Sequence, residues 1–124
     1  AKLALEALEG YDGLYIHIKG PDVPAHDGDH EGKIESIEAI DSHFFTGVLD
    51  SLDMAVTVVA VTADHSTSCI KKAHTADPVP LVVAGAGVSS DAVGAFGESM
   101  AREGAIGHLF GPEIMPNLID LARG

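Results

Sequence analysis

The chain has 124 residues, of which 46% are hydrophobic, and a formal net charge of −12. This length and composition suit a single domain that buries roughly two thirds of its unfolded surface. The acidic balance argues against nucleic acid as a partner, because contact with a phosphate backbone needs clustered Lys and Arg. Carboxylates close to histidines are instead suitable ligands for divalent cations.

The cysteine content and hydropathy pattern indicate the compartment. Cys69 is the single cysteine, so an internal disulfide is excluded, which fits a reducing environment. No apolar run approaches the ~20 residues of a membrane span. We therefore expect a cytoplasmic protein without membrane contact. Residues 1–10 have the pattern of the last turns of a helix closed by Gly10, and no Met precedes them, so a longer parent protein is expected.

Three segments have the composition of buried strands. They are residues 14–18, residues 55–61, and residues 79–84, where the strand should begin at or just after Pro80. Residues 66–78 are polar and read as irregular.

Helical patterns separate and follow these segments. Apolar residues recur at spacings of three and four from His30 to about Leu52, which predicts a long amphipathic helix. A clear helix is predicted over residues 111–122 and a weaker one over 91–102. The alternation predicts an α/β fold in three layers, a mostly parallel sheet with helices on both faces. Residues 1–124 are expected to be part of one domain.

The first candidate site follows the first predicted strand. Asp22 and His26 are four residues apart, so one helical turn would bring their side chains together around one ion. The alternative is that Asp22 caps a turn and His26 is a surface histidine. Asp29 is interpreted as the N-cap of the long helix. Asp27 and His30 are either partners that orient the ligands or further capping residues.

The second candidate site follows the second predicted strand. Asp64 and His65 stand where that strand should end, which is where open α/β sheets hold ligands. The alternative is an Asx-type turn with a solvated histidine. His74 precedes the third strand and is the candidate third ligand for the Asp22 and His26 ion, leaving a position open for water or substrate. Its alternative is a surface histidine.

Other reactive side chains are assigned no chemistry. His17, His43 and His108 are interpreted as structural. Ser66, Thr67, Ser68 and Cys69 have no general base fixed near them by the sequence, so no nucleophile is assigned. Gly85-Ala86-Gly87 lacks the full phosphate-binding glycine pattern and is read as a tight strand exit.

Several motifs together resemble the C-terminal part of archaeal-type cofactor-independent phosphoglycerate mutases, which belong to the alkaline phosphatase superfamily. The resemblance runs from about Gly10 to the end of the chain. It rests on Gly20-Pro21-Asp22, Ala25-His26-Asp27-Gly28-Asp29, Lys33 with Ile37-Glu38-Ala39-Ile40-Asp41, Thr62-Ala63-Asp64-His65-Ser66-Thr67 and His74-Thr75-Ala76-Asp77-Pro78-Val79-Pro80.

The resemblance implies an incomplete alkaline phosphatase-like core and a two-metal site. Asp22, His26 and His74 would hold one ion, and Asp64 and His65 the other. Manganese is the expected metal, with magnesium or zinc as alternatives. The family interconverts 3-phosphoglycerate and 2-phosphoglycerate through a phosphoserine intermediate, so the implied partner is a small phosphorylated substrate.

This sequence departs from the family pattern in two ways. Ala25 stands where the family usually has glycine. The family segment that supplies an early Asp ligand, the nucleophilic Ser and most phosphate-binding basic residues does not occur here. We therefore expect part of a mutase that has no catalytic residue of its own and no turnover alone.

Other functions remain open at this point. A phosphopentomutase, a phosphodiesterase or a phosphonate hydrolase of the same superfamily would use nearly the same metal ligands. A non-catalytic metal-binding module is an alternative of a different functional class. Three ligands for one ion and only two for the other favour a catalytic ancestry, because the second ion is left under-coordinated. An incomplete sheet would expose apolar surface, so association with a second copy is a further hypothesis.

Overall fold

The computed structural model describes all residues, 1–124, which form two compact units. The first comprises Ala1–Leu52 and Thr67–Thr75, and the second comprises Asp53–Ser66 and Ala76–Gly124. Helices and short strands occur together along the chain, so the predicted α/β class is confirmed. None of the helices has both the length and the apolar character that crossing a bilayer requires.

The first unit is mainly helical. The long helix predicted from His30 is confirmed as far as Leu49, and its predicted N-cap is confirmed because the Asp29 carboxylate accepts a hydrogen bond from the Gly32 amide at 2.9 Å. The segments are α1 Lys2–Leu8, α2 Asp22–Asp27, α3 His30–Ile40, a π-helical turn Asp41–Phe45, and α4 Thr46–Leu49. Helix α2 packs against α3, and α1 against α4.

A short hairpin accompanies these helices. Strands β2 Ser66–Ser68 and β3 Ala73–Thr75 form a two-stranded sheet. The expectation of an irregular segment over residues 66–78 is therefore wrong for these residues. Strands of three residues are too short to show a period of two, which is why the sequence pattern missed them.

The second unit is built around an antiparallel strand pair. Strand β1 Val58–Val61 pairs with β4 Val82–Gly85, with Val58 opposite Gly85 and Val61 opposite Val82. As predicted, the later strand begins after Pro80. Gly85 has φ 115°, and a Cβ at this position would overlap the backbone carbonyl of Thr57. Glycine is therefore required where β4 ends.

Two helices complete the second unit. They are α5 Glu98–Ala101 and α6 Gly111–Arg123. Helix α5 covers only four residues of the weaker helix predicted over residues 91–102, and α6 confirms the predicted terminal helix. Helix α6 contacts β1. Its apolar side chains line a cavity of about 230 Å³ together with side chains of the strand region and the preceding loop: Leu81, Val83, Ile106, Leu109, Ile114, Leu118 and Leu121.

The structure differs from the sequence prediction in its strands. Residues 14–18 form no strand, and their side chains stay exposed, from 37% for Leu14 to 83% for Tyr15. His17 is also exposed and does not pack as expected. A β-rich composition cannot supply the backbone partner that a strand needs.

The direction of strand pairing also differs from the prediction. The sheets here are two pairs of strands, and the β1–β4 pair is antiparallel, so residues 1–124 do not themselves form the expected mostly parallel sheet with helices on both faces. An apolar run indicates burial on both faces, but it does not specify the direction of the neighbouring strand.

Asp91 makes the stability of the second unit depend on acid pH. Its carboxylate accepts hydrogen bonds from the Ala105 amide at 2.8 Å and the Val93 amide at 2.9 Å. The backbone N–H of Ala105, and then that of Val93, hold the pKa of Asp91 below its ordinary value of 3.8. A lowered folded-state pKa means that this stabilisation is present at neutral pH and is lost as the pH falls through the folded pKa.

We expect Asp91→Asn to lower the urea midpoint of unfolding at neutral pH. The difference from the wild-type protein should shrink as the pH falls from 3.8 through the lower folded-state pKa, because the wild-type carboxylate is protonated first in the unfolded state and then in the folded state. Urea titrations over a pH series measure the unfolding midpoint of each protein and the pH dependence of the difference between them. A difference that stays constant across the series would contradict the assigned role of the carboxylate charge.

Candidate metal centre

One carboxylate and two imidazoles converge in the first unit. Asp22 and His26 lie one turn apart on α2, and His26 Nε2 is 3.4 Å from Asp22 Oδ1. His74 on β3 places its Nε2 3.7 Å from the same oxygen. All three potential ligand atoms lie within 4.8 Å of one another. We call these three residues the Asp22–His26–His74 cluster.

The cluster fits a divalent ion. A tetrahedral ion with bonds of about 2.1 Å separates its ligand atoms by about 3.4 Å. The separations of 3.4 and 3.7 Å from Asp22 Oδ1 are close to that value. Two imidazoles with one carboxylate suit Mn²⁺ or Zn²⁺, whereas Mg²⁺ usually takes oxygen ligands. The side chains are 31–53% exposed, so an ion can reach them from solvent.

The turn of the β2–β3 hairpin orients His26. The Nδ1 atom of His26 lies 3.2 Å from the carbonyl oxygen of Lys72. A carbonyl oxygen only accepts hydrogen bonds, so this contact places the hydrogen on Nδ1 and leaves the Nε2 lone pair of the neutral ring for an ion. Lys72 has φ 51°, a left-handed conformation uncommon outside glycine, which turns its carbonyl toward α2.

Gly28 allows this turn to approach the end of α2. It is the C-cap of the helix, with φ 77°, and a Cβ there would lie 3.2 Å from the carbonyl oxygen of Cys69 and closer still to the Lys72 side chain. Glycine thus meets two requirements at this position, the left-handed helix end and the close contact with the hairpin.

A second set of contacts orients Asp22. The Thr67 hydroxyl donates a hydrogen bond to Asp22 Oδ1 at 2.8 Å, and the Thr67 backbone carbonyl accepts one from Lys33 Nζ at 2.8 Å. Thr67 is only 5% exposed. The orientation of the Asp22 carboxylate is therefore fixed by the Thr67 hydroxyl as well as by α2.

Ala25 stands between the two candidate ligands of the second helix, Asp22 and His26. It lies within α2 and is fully buried. Alanine favours helix over glycine by about 1 kcal/mol. Alanine at this position therefore favours the helical conformation that places Asp22 and His26 one turn apart.

Asp64 and His65 lie in the second unit, just beyond β1. The Asp64 carboxylate accepts a hydrogen bond from the His65 amide at 3.1 Å, and its other oxygen lies 3.5 Å from His65 Nε2. The Thr62 hydroxyl donates to the Pro80 carbonyl at 2.9 Å and ties the end of β1 to the segment before β4. This local turn is compatible with both readings of the pair, so its role as a metal ligand stays a prediction.

The remaining histidines make other contacts. His43 is in the π-helical turn, where its ring lies 3.0 Å from the Ala39 carbonyl, and His108 makes an edge-to-face contact with Phe110. His30 is the first residue of α3. The structural roles assigned to His43 and His108 stay predictions.

Sequence reasoning did not find the residues that orient the ligands. Lys33, Thr67 and the Lys72 carbonyl act on partners 34 to 46 residues away. A backbone carbonyl or a single hydroxyl leaves no periodic pattern. The signals were the position of Thr67 within the motif that also contains Asp64 and His65, and that of Lys33 within another motif of the family resemblance.

A carboxylate–imidazole cluster on an α/β scaffold is the kind of site found in metal-dependent enzymes. Residues 1–119 match the family described as the Metalloenzyme superfamily, and the chain belongs to that superfamily.

The most informative similarity is to archaeal phosphoglycerate mutases. The chain is 41% identical to the 2,3-bisphosphoglycerate-independent phosphoglycerate mutase of Pyrococcus abyssi, over 98% of this chain and 29% of that protein. It is 42% identical to the enzyme of the same name from Aeropyrum pernix, over 100% of this chain and 30% of that protein. The family resemblance stated from the motifs is thereby confirmed, and the chain spans less than a third of these relatives.

A solved structure supports the fold. A protein from Pyrococcus horikoshii superposes with a TM-score of 0.95 and 40% sequence identity, over 98% of this chain and 37% of that chain.

Proposed function

We propose that this chain is the metal-holding part of a 2,3-bisphosphoglycerate-independent phosphoglycerate mutase. The longer protein would interconvert 3-phosphoglycerate and 2-phosphoglycerate, a step of glycolysis and gluconeogenesis. The observation that carries this proposal is the Asp22–His26–His74 cluster, whose ligand atoms lie within 4.8 Å of one another. The 41% identity to the Pyrococcus abyssi protein of that name supports the choice of substrate.

In this proposal the residues hold two divalent ions. Asp22, His26 and His74 bind one ion, and Asp64 and His65 bind the other, with manganese expected and magnesium or zinc as alternatives. When bound, such ions stabilise negative charge on a transferring phosphoryl group and activate a hydroxyl nucleophile. The three-residue cluster supplies one negative charge and two neutral donors, which leaves ligand positions open for substrate oxygens.

The covalent step needs residues that this proposal places elsewhere in the longer protein. The phosphoserine route requires a nucleophilic serine and basic residues that bind phosphate, and none of the residues in the cluster can serve as either. We therefore expect no turnover by the 124-residue chain alone. The cytoplasmic location and the association of copies also stay predictions.

Calorimetry and a mutase assay together test the proposal. Mn²⁺ titrated into the chelator-stripped chain should bind, and His26→Ala should weaken that binding. The longer protein should convert both phosphoglycerate isomers, and His26→Ala should remove the conversion. Binding without conversion of either isomer would indicate a non-catalytic metal module. Hydrolysis of a phosphodiester or a phosphonate, or transfer on a pentose phosphate, would indicate another branch of the superfamily.

A further inference from the structure

We propose that Thr67 is a positioning residue for Asp22 and that Lys33 holds Thr67 in that role. The proposal rests on the proposed function, because it requires an ion at the Asp22–His26–His74 cluster. It assigns to the β2–β3 hairpin a task beyond carrying His74, which is to set the orientation of a carboxylate on another element.

The hydroxyl of Thr67 acts directly on the ligand atom. It donates to Asp22 Oδ1 at 2.8 Å, the same oxygen that faces His26 Nε2 and His74 Nε2. Hydrogen bonds to a charged acceptor are about twice as strong as neutral ones. An ionised carboxylate oxygen has lone pairs for both a hydroxyl donor and an ion. The hydroxyl therefore fixes the rotation of the carboxylate without occupying the site.

Lys33 fixes the strand that carries this hydroxyl. Its ammonium donates to the backbone carbonyl of Thr67 at 2.8 Å. Lys33 belongs to α3, and α3 packs against α2, the helix that carries Asp22. Each of α2, β2 and α3 therefore contacts the other two. The Thr67 hydroxyl and the Asp22 carboxylate are positioned by this one set of mutually packed elements.

Thr75 on the partner strand provides the contrast. Its hydroxyl oxygen is buried and has no hydrogen-bond partner. The two threonines of the hairpin therefore differ in their hydrogen bonding, because the Thr67 hydroxyl donates to a candidate ligand and the Thr75 hydroxyl does not. Replacing each with valine keeps the side-chain shape and removes only the hydroxyl, so Thr75→Val is a matched control.

The test compares ion binding by wild-type protein, Thr67→Val, Thr67→Ser and Thr75→Val. Mn²⁺ affinity is measured by calorimetry, and ligand geometry by the visible absorption of bound Co²⁺. We expect Thr67→Val to weaken Mn²⁺ binding by about 10- to 100-fold, the range typical of partners that orient metal ligands, and to shift the cobalt spectrum. Thr67→Ser should restore both, and Thr75→Val should change neither.

Thermal unfolding of the chelator-treated proteins separates positioning from packing. Equal losses of affinity in Thr67→Val and Thr67→Ser, matched by equal losses of stability, would overturn the proposal in favour of a packing role. If Thr67→Val does not fold, Lys33→Met keeps the hydroxyl but releases the strand. It must then still shift the cobalt spectrum, and an unchanged spectrum would overturn the proposal.

The two hypotheses fail in different ways. Wild-type protein that binds Mn²⁺, together with a Thr67→Val variant that binds it equally well, would overturn the positioning role and leave the metal centre intact. Wild-type protein that binds no ion would overturn the metal centre and, with it, the role of Thr67.

Discussion

Asp22→Asn should abolish Mn²⁺ binding at the Asp22–His26–His74 cluster, weakening it by more than about 100-fold, beyond the range for partners that only orient ligands. Asp22 is the one carboxylate of the cluster, and both imidazole Nε2 atoms face its Oδ1 at 3.4 and 3.7 Å. The amide of asparagine keeps the shape but removes the charge. Calorimetric titration of chelator-stripped protein measures the loss.

Asp27→Asn is the matched control for this substitution. Asp27 lies on the same helix, directly after His26, and is exposed. Asp27→Asn removes the same charge from a protein with a formal net charge of −12. Its effect on Mn²⁺ affinity therefore measures the general electrostatic attraction of cations to the protein. An equal loss of affinity in the two variants would show that Asp22 attracts ions through the overall charge rather than by ligation.

Gly85→Ala should lower the free energy of unfolding of the second unit by about 3 kcal/mol or more. The position has φ 115°, and an added Cβ would overlap the Thr57 carbonyl, which is backbone and cannot rotate away. The Ala86 amide donates to that carbonyl at 3.0 Å, so relief of the overlap would also disturb this hydrogen bond. Urea unfolding followed by circular dichroism measures the change.

Gly87→Ala separates backbone strain from steric overlap. Gly87 also has a left-handed φ, 71°, but nothing lies within 4 Å of an added Cβ. Gly87→Ala should therefore lower the free energy of unfolding only by the cost of a left-handed backbone at alanine, about 1–2 kcal/mol. A loss as large as that of Gly85→Ala would mean that the close approach of Thr57 contributes nothing.

The sequence predicted local features well because they depend on neighbours in the chain. The spacing of apolar residues after His30 specified the long helix, and Asp29 followed from helix-capping chemistry. The spacing of four between Asp22 and His26 predicted that one helical turn would unite them, and α2 is that turn. The sequence also offered His74 as a third ligand, and its Nε2 lies 3.7 Å from the same oxygen, although the strand that carries it belongs to a short hairpin.

The features that could not be predicted depend on distant partners. Residues 14–18 have strand composition, but a strand exists only when another backbone pairs with it. The β1–β4 pairing is antiparallel, and apolar content alone does not decide that direction. The Thr67 hydroxyl reaches a partner 45 residues away, and a contact of that kind is visible only in three dimensions.

The buried side chains of the first unit have a consequence for its folding. They are Ala25, Val48 and Thr67, and two of these three lie on the elements that carry or orient Asp22. The unit has little other core, so its cohesion and the geometry of its ion ligands depend on the same few contacts. An ion held there would act as part of the core, adding about 2.7 kcal/mol of stability at a free concentration 100 times its Kd. Folding and ion loading of this unit would then be one coupled equilibrium.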